Sequence, residues 1–439
     1  MPSPTSLPPP NSLFGKLKNR PQLLNKAAIM VGARGLGLGF AALGSVWAAR
    51  CLGPLNFGIS GMVQSLALFS GAFLAVIYPP VLVRDYKNLE SDKKRNRLIQ
   101  VTNSFRLAVA LLFCVLAAGV MALRLEPPSF HFAGWFFLPI LFLTALQPTW
   151  IFQAAEKQQF QSMLAVLQPA LVALYYAVVI RPGMSAGWDL LGITLVTAAV
   201  TFIYWRAVFK LTHFQDSFFA WDGWREMGEL VVKSRWLFLF FLCTYVYNNL
   251  DQPLLGWLSS LEEQGKYRTA VRVTDAAQGF LTILPSIFFP RFIEWRKKGE
   301  EFFWGRQTKL LAGGALLGAV TAALAFLIIP SAYTPVFGSA YAQAAFPCAI
   351  LLSAKIVDCL GQVYSLGLMT DHNYDKKVLA AGVLTATVSL GSNLLFIPKF
   401  GMTTAACVNL LSETLMLAFC FGLSWRRLDG LRKKNPRSR

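Results

Sequence analysis

The chain predicts an all-α integral membrane protein of about twelve transmembrane helices, arranged in two six-helix bundles with a central cavity. Three observations carry that expectation. Hydrophobic residues make up 55% of the chain and charged residues only 14%, with 35 phenylalanines, a balance that suits lipid as the main solvent. Apolar runs of roughly 18 to 24 residues, each long enough for a ~30 Å hydrocarbon core, recur along the sequence. Basic residues collect at every second joint between those runs, the pattern that orients a multi-pass bundle.

The runs lie near 27–49, 58–83, 101–123, 133–155, 162–180, 187–208, 235–257, 267–290, 309–330, 342–366, 378–397 and 403–425, spans one to twelve. Lys16, Lys18, Arg20 and Lys26 precede the first span, and Arg84, Lys87, Lys93, Lys94, Arg95 and Arg97 follow the second. The set continues with Arg206, Lys210, Arg225, Lys233 and Arg235, then with Arg291, Arg296, Lys297, Lys298, Arg306 and Lys309. It ends with Lys376, Lys377 and the tail from Arg426 to Arg439, while the alternate joints hold little beyond Arg50, Arg124, Arg181, Lys266 and Lys399. Twelve spans with this alternation put both termini in the cytoplasm, on the inner face of the cytoplasmic membrane. The net charge of +19 is then a topology signal and an attraction to anionic lipid headgroups. Because the charges are divided among joints and not gathered on a soluble domain, a nucleic-acid partner is not expected.

The division that follows is a disordered basic cytoplasmic leader over 1–26, an N-terminal bundle over 27–210, a C-terminal bundle over 211–425 and a basic cytoplasmic tail over 426–439. The leader opens MPSPTSLPPPNS, too polar and proline-rich to pack a core and without the apolar run of a signal peptide. Seven cysteines, none in close CxxC spacing, read as small apolar packing residues, and His131, His213 and His372 are scattered among joints. No metal and no cofactor is implied.

An internal repeat relates the halves. LGPLNFGISG (Leu52 to Gly61) opens a segment that runs apolar to Tyr78, Pro79 and Pro80 and leaves through Arg84. Six spans later LSSLEEQGKYRTA (Leu258 to Ala270) opens another, apolar to Pro285 and Pro290, leaving through Arg291. Two halves of the same in-out sense imply an approximate two-fold axis along the membrane normal, with a cavity between them. The copies differ where it matters: Gly61 and Ser65 in the first correspond to Arg268 and Arg272 in the second.

ARCLGPLNFG (Ala49 to Gly58), Glu156-Lys157 after the fourth span, NNLDQPLLGWL followed by GKYRTAVRVTDAAQ, and FGSAYAQAAFP (Phe337 to Pro347) occur in order over nearly the whole chain after the leader. In these motifs the chain resembles the polysaccharide (O-antigen type) flippases of the multidrug, oligosaccharidyl-lipid and polysaccharide exporter superfamily. The resemblance implies a non-enzymatic carrier that moves undecaprenyl-diphosphate-linked oligosaccharide from the inner to the outer leaflet by alternating access. It implies a lipid-linked oligosaccharide and membrane lipids as partners, coupling to H+ or Na+, and glycan polymerases as neighbours.

A diphosphate crossing hydrocarbon needs cations at membrane depth. Arg34 in GARGLGLGF, Arg268, Arg272 and Lys355 are the candidates for a cationic cavity. Arg268, Arg272 and Asp275 follow i, i+4, i+7 spacing and share one helix face, which is either a cavity wall or an internal ion-pair stripe with Arg272 on Asp275. Arg268 at the outer edge either guards the mouth or sits at the interface, and Arg34 either faces the cavity or snorkels to headgroups, as Arg106 is expected to do. For ion or proton coupling the candidates are Asp251, Asp275, Asp358 and Glu413. Asp251 leads because no cation lies within a turn of it, whereas Lys355 and Asp358 are i, i+3 neighbours able to neutralise each other. Gln64, Gln147, Gln153, Asn248, Asn249 and Gln278 either meet sugar hydroxyls or bond between helices.

Gly32, Gly35, Gly37 and Gly39 suggest close packing of the first span where the halves rock. Pro79, Pro80, Pro148, Pro169, Pro253 and Pro285 suggest breaks that free carbonyls. The rival readings are a lipid II flippase, an ion-coupled multidrug exporter and a membrane glycan polymerase or ligase. A drug exporter for organic cations would line its cavity with carboxylates and aromatics, a lipid II flippase would carry helices beyond twelve, and a polymerase would carry a large outer loop with catalytic Arg or His.

Overall fold

A computed structural model describes residues 20–77, 79–123, 130–212, 218–220, 222–281, 292, 295–296, 298–368 and 375–434. Tyr78, Arg124, His213, Pro285, Pro290, Arg291, Lys297 and His372 lie outside the described residues. The elements are α1 (Arg20–Phe73), α2 (Pro79–Asn88), α3 (Asp92–Ala122), α4 (His131–Gly134), α5 (Phe137–Ala145), α6 (Thr149–Ala154) and α7 (Gln158–Val178). Then come α8 (Ala186–Thr212), α9 (Trp224–Asn249), α10 (Asp251–Leu258), α11 (Leu261–Leu281), α12 (Glu300–Phe337), a 3-10 turn (Ser339–Ala344), α13 (Ala345–Leu368) and α14 (Asp375–Lys434).

Among the described residues nine helices are long and apolar enough to cross a membrane. Two of them are double crossings. Gly53 (φ 71°) breaks α1 ahead of Pro54, and Gly401 (φ 58°) breaks α14 after Pro398, each at a joint where the basic pattern requires a reversal. A glycine takes that backbone at no steric cost, and the adjoining proline withholds an N–H from the helical ladder. The spans then number eleven, and α11 is the twelfth. It escapes a hydropathy criterion because Glu262, Glu263, Lys266, Arg268, Arg272 and Asp275 lie along it. The expected fold class therefore holds, and the span that hydropathy overlooks is the charged one.

Joints at Gly53, Ser259, Gly338 and Gly401 share one end of the bundle, the glycine end; the lysine- and arginine-rich joints share the other. At the glycine end one core joins both halves: Ala48, Leu52 and Phe57 of α1 pack with Tyr267 of α11, Tyr341, Cys348 and Ala405. Arg50 Nε donates to Val336 O at 2.7 Å, and Tyr341 OH to Ala49 O at 2.7 Å. At the basic end Ile99, Trp150, Tyr204 and Trp205 form a core of the N-terminal half, while Phe303, Trp304, Tyr364 and Met416 form one of the C-terminal half.

Two local expectations change. Arg106 does not snorkel: it donates to Gln147 O at 2.7 Å and Thr144 O at 3.1 Å, carbonyls freed where Pro148 separates α5 from α6. A boundary at 210/211 also divides the sequence more sharply than the packing. Met227 and Leu230 of α9 belong to the N-terminal core, and Arg97 of α3 pairs with Asp222 at 3.0 Å and Glu226 at 3.1 Å. The Arg97 hydrogen bond holds the exposed Asp222 carboxyl below the usual carboxylate range. The seventh span thus starts in one half and ends in the other.

Candidate functional site

Helix α11 organises the candidate site because its two faces meet different halves. Toward α1 it is in backbone contact: a Cβ on Gly58 would stand 1.7 Å from Leu261 O, and one on Gly265 would stand 1.9 Å from Pro54 O. Gly58 and Gly265 occupy corresponding places in the internal repeat. Equivalent residues that touch are what a two-fold axis between them requires. The expected packing glycines of the first span are looser: among the described residues no atom lies within 4 Å of a Cβ on Gly32 or Gly39, and the nearest to one on Gly35 or Gly37 are Phe280 at 3.9 Å and Pro169 at 3.6 Å. Close approach of the halves therefore resides in the second and eighth spans.

The next equivalent pair is Gly61 and Arg268. A Cβ on Gly61 would lie 2.5 Å from Arg268 Cδ, so the missing side chain of one copy is the room the other copy's arginine fills. Arg268 is 3% exposed, donates to Phe57 O at 2.7 Å, lies 4.2 Å over the Phe57 ring and stands 4.0 Å from Asp189 of α8. Asp189 is fully buried and also accepts from Ser60 Oγ and, at 2.5 Å, from Tyr176 OH. A buried guanidinium and carboxylate, each with further hydrogen bonds, make a satisfied pair that joins the two halves. Asp189, Tyr176 and Ser60 escaped the sequence reading. The signal was present, a lone acid in an apolar span, the same ground on which Asp251 was chosen.

One turn on, Arg272 is half-buried and donates to Gln64 Oε1 at 3.0 Å. It forms no ion pair with Asp275, which is exposed and lines a pocket inside the C-terminal half. Arg34 is exposed, near where Gly35 of α1 approaches Phe280, about 12 Å along the α11 axis from Arg272 toward the basic end. Lys355 belongs to neither arginine. It is buried in α13 with Nζ 3.5 Å from Asn248 Oδ1. The four expected cations are thus dispersed: Arg268 and Arg272 on one helix face, Arg34 nearer the basic end, and Lys355 in a separate pocket.

That pocket lies inside the C-terminal half, between α9, α10, α11, α13 and α14, with a volume of about 440 Å³. All four expected coupling carboxylates, Asp251, Asp275, Asp358 and Glu413, face it together with Lys355. Asp251 accepts from Tyr267 OH and, at 2.8 Å, from Gln252 N. Asp358 accepts from Gln278 at 2.7 Å and Gln362 at 2.8 Å, and does not pair with Lys355 within 4 Å. Three amides singled out in the sequence, Asn248, Asn249 and Gln278, stand on this wall, while Gln64 serves Arg272 and Gln147 lends its carbonyl to Arg106.

The polysaccharide biosynthesis protein family matches residues 23–295, more than half of the chain. The chain belongs to that family. It is 23% identical over 388 residues, 84% of its own length, to a protein of Escherichia coli (strain K12) named "Putative O-antigen transporter", of which the match spans 90%. Its fold is similar to that of the lipid II flippase MurJ in an inward closed conformation, with a TM-score of 0.68 and 11% identity over 91% of this chain and 87% of that one. It is also similar to the MATE multidrug transporter DinF-BH, with a TM-score of 0.57 and 14% identity over 93% and 96%. The fold is thus that of two-lobed helical transporters, and the family is the one that the motifs suggested.

Proposed function

We propose that this chain is a flippase that carries a lipid-linked oligosaccharide, joined to its prenyl chain through a diphosphate, from the cytoplasmic to the outer leaflet by alternating access. Arg272 supports the reading most directly. It is a cation at mid-span, between the halves, whose partner in the structure is a neutral amide, so its charge is left for a ligand. Family membership and the O-antigen name of the relative give the ligand's class. With the basic end cytoplasmic in the inner membrane and both termini on that side, Arg34 meets the diphosphate first, Arg272 holds it at depth, and Arg268 closes the outer mouth. Translocation of this kind makes and breaks no covalent bond.

Replacing Arg272 by Ala is expected to abolish export of the lipid-linked glycan in a complementation assay while the protein still inserts. Full export by the variant would sink the assignment. The driving ion, H+ or Na+, is assigned to the acidic pocket through Asp251, whose substitution by Asn is expected to remove the dependence of transport on an imposed gradient in vesicles. An unchanged gradient response would reject that role.

A second reading has its own support. Carboxylates beside Phe240, Phe241 and Tyr245 are what an exporter of organic cations requires, and the acidic pocket supplies them. The arginines between the halves and the family weigh toward the glycan.

A further inference from the structure

The acidic pocket lies apart from the arginines, yet a short step from them. Asp275, at its mouth, follows Arg272 by three residues, about 5 Å along the helix axis. A diphosphate held on Arg272 therefore presents its first sugar to this opening. The volume of about 440 Å³ falls among small-molecule sites, far above the ~30 Å³ that one water occupies.

The pocket wall is rich in polar side chains, with Asp251, Asp275, Asp358 and Glu413 standing beside Asn248 and Gln278. Carboxylates accept and amides both donate and accept, the complement of a ring that carries hydroxyl and N–H groups. Among the described residues the wall carries four carboxylates against the ammonium of Lys355, a balance that attracts ammonium and tolerates hydroxyls but repels a further anion. Phe241 and Tyr245, with ring centroids 6.0 Å apart, add an apolar surface of the kind that the C–H face of a sugar covers.

We propose that this pocket is the sugar subsite of the carrier, and that it takes a neutral or amino-bearing ring and rejects one that bears a carboxylate. The inference rests on the flippase reading and narrows it: Arg272 and Arg34 then serve the diphosphate and not an acidic sugar. Specificity is divided between two walls of one helix, a cationic wall for the invariant part of the substrate and an acidic one for the variable part.

Binding of four probes to the purified full chain tests it: a prenyl diphosphate, the same lipid bearing an N-acetylhexosamine, the same lipid bearing a hexuronic acid, and a cationic rhodamine dye. The N-acetylhexosamine is expected to strengthen binding at least about tenfold over the bare lipid, and the uronic acid to give no gain. Tyr245→Ala should remove most of the gain. Asp275→Lys, at an exposed side chain with no bond to lose, should pass the advantage to the uronic head. Equal binding of the three lipids, or a preference for the uronic head in the parent, overturns the sugar subsite while the flippase reading stands. No binding of any prenyl diphosphate overturns that reading instead. Rhodamine dye bound in the parent and lost in Asp275→Lys, with no gain from either sugar, overturns the subsite in favour of a cation site.

Discussion

The two faces of α11 differ in sign, in partnership and in what they leave unpaired. Toward α1 stand Arg268 and Arg272, the first matched to a buried carboxylate of the other half and the second to an amide. Toward the C-terminal half stand Asp275 and Gln278, opening on a pocket where carboxylates outnumber ammonium groups. Sharing a helix face at i, i+4, i+7 did not keep the three charges together, because a helix wedged between two bodies is divided along that face. The contrast teaches that burial of charge serves two ends here. Arg268 is satisfied and closes an interface; Arg272 and the pocket keep unmet capacity, which is what a binding surface needs.

Breaking the satisfied side is expected to cost most. Arg268→Ala leaves Asp189 as a buried carboxylate without its cation, a loss of about 3–5 kcal/mol by analogy with other broken buried pairs. Adding Asp189→Asn should return part of it, and thermal unfolding of the single and double variants in detergent reads the difference. If the double variant is no more stable than Arg268→Ala, the two do not act as a pair. Widening the contact of the halves comes next. Gly58→Ala forces a methyl against Leu261 O, an overpacking cost of about 1–3 kcal/mol that separation of the glycine end relieves. A bifunctional thiol reagent should then join Arg50→Cys to Val336→Cys in a chain otherwise free of cysteine, and fail to do so once Gly58→Ala is added. Crosslinking that persists would mean that the Gly58 contact does not set the closure of the glycine end.

Most of the architecture was legible because lipid imposes a length and a charge rule on every crossing, and the kinks at Gly53 and Gly401 fall where those rules ask for a reversal. The repeat was legible too, and its outcome was sharper than expected: Gly61 is not merely the smaller counterpart of Arg268 but the space its side chain occupies. What stayed hidden depends on how helices turn toward one another. The division of Arg272 from Asp275, the removal of Lys355 to the acidic pocket and the pairing of Asp189 with Arg268 all follow from the rotation of packed helices, which one sequence does not disclose. Arg106 shows the same limit at short range, since the carbonyls that it binds are exposed only by the break at Pro148.

The account rests on a cationic wall that reads a diphosphate. Affinities of the purified chain and of Arg272→Ala for a prenyl diphosphate and for the matching prenyl alcohol test that claim most directly. The parent is expected to bind the diphosphate at least about tenfold more tightly than the alcohol, with Arg272→Ala binding the two alike. Equal binding of both lipids by the parent, or an undiminished preference in the variant, would contradict it.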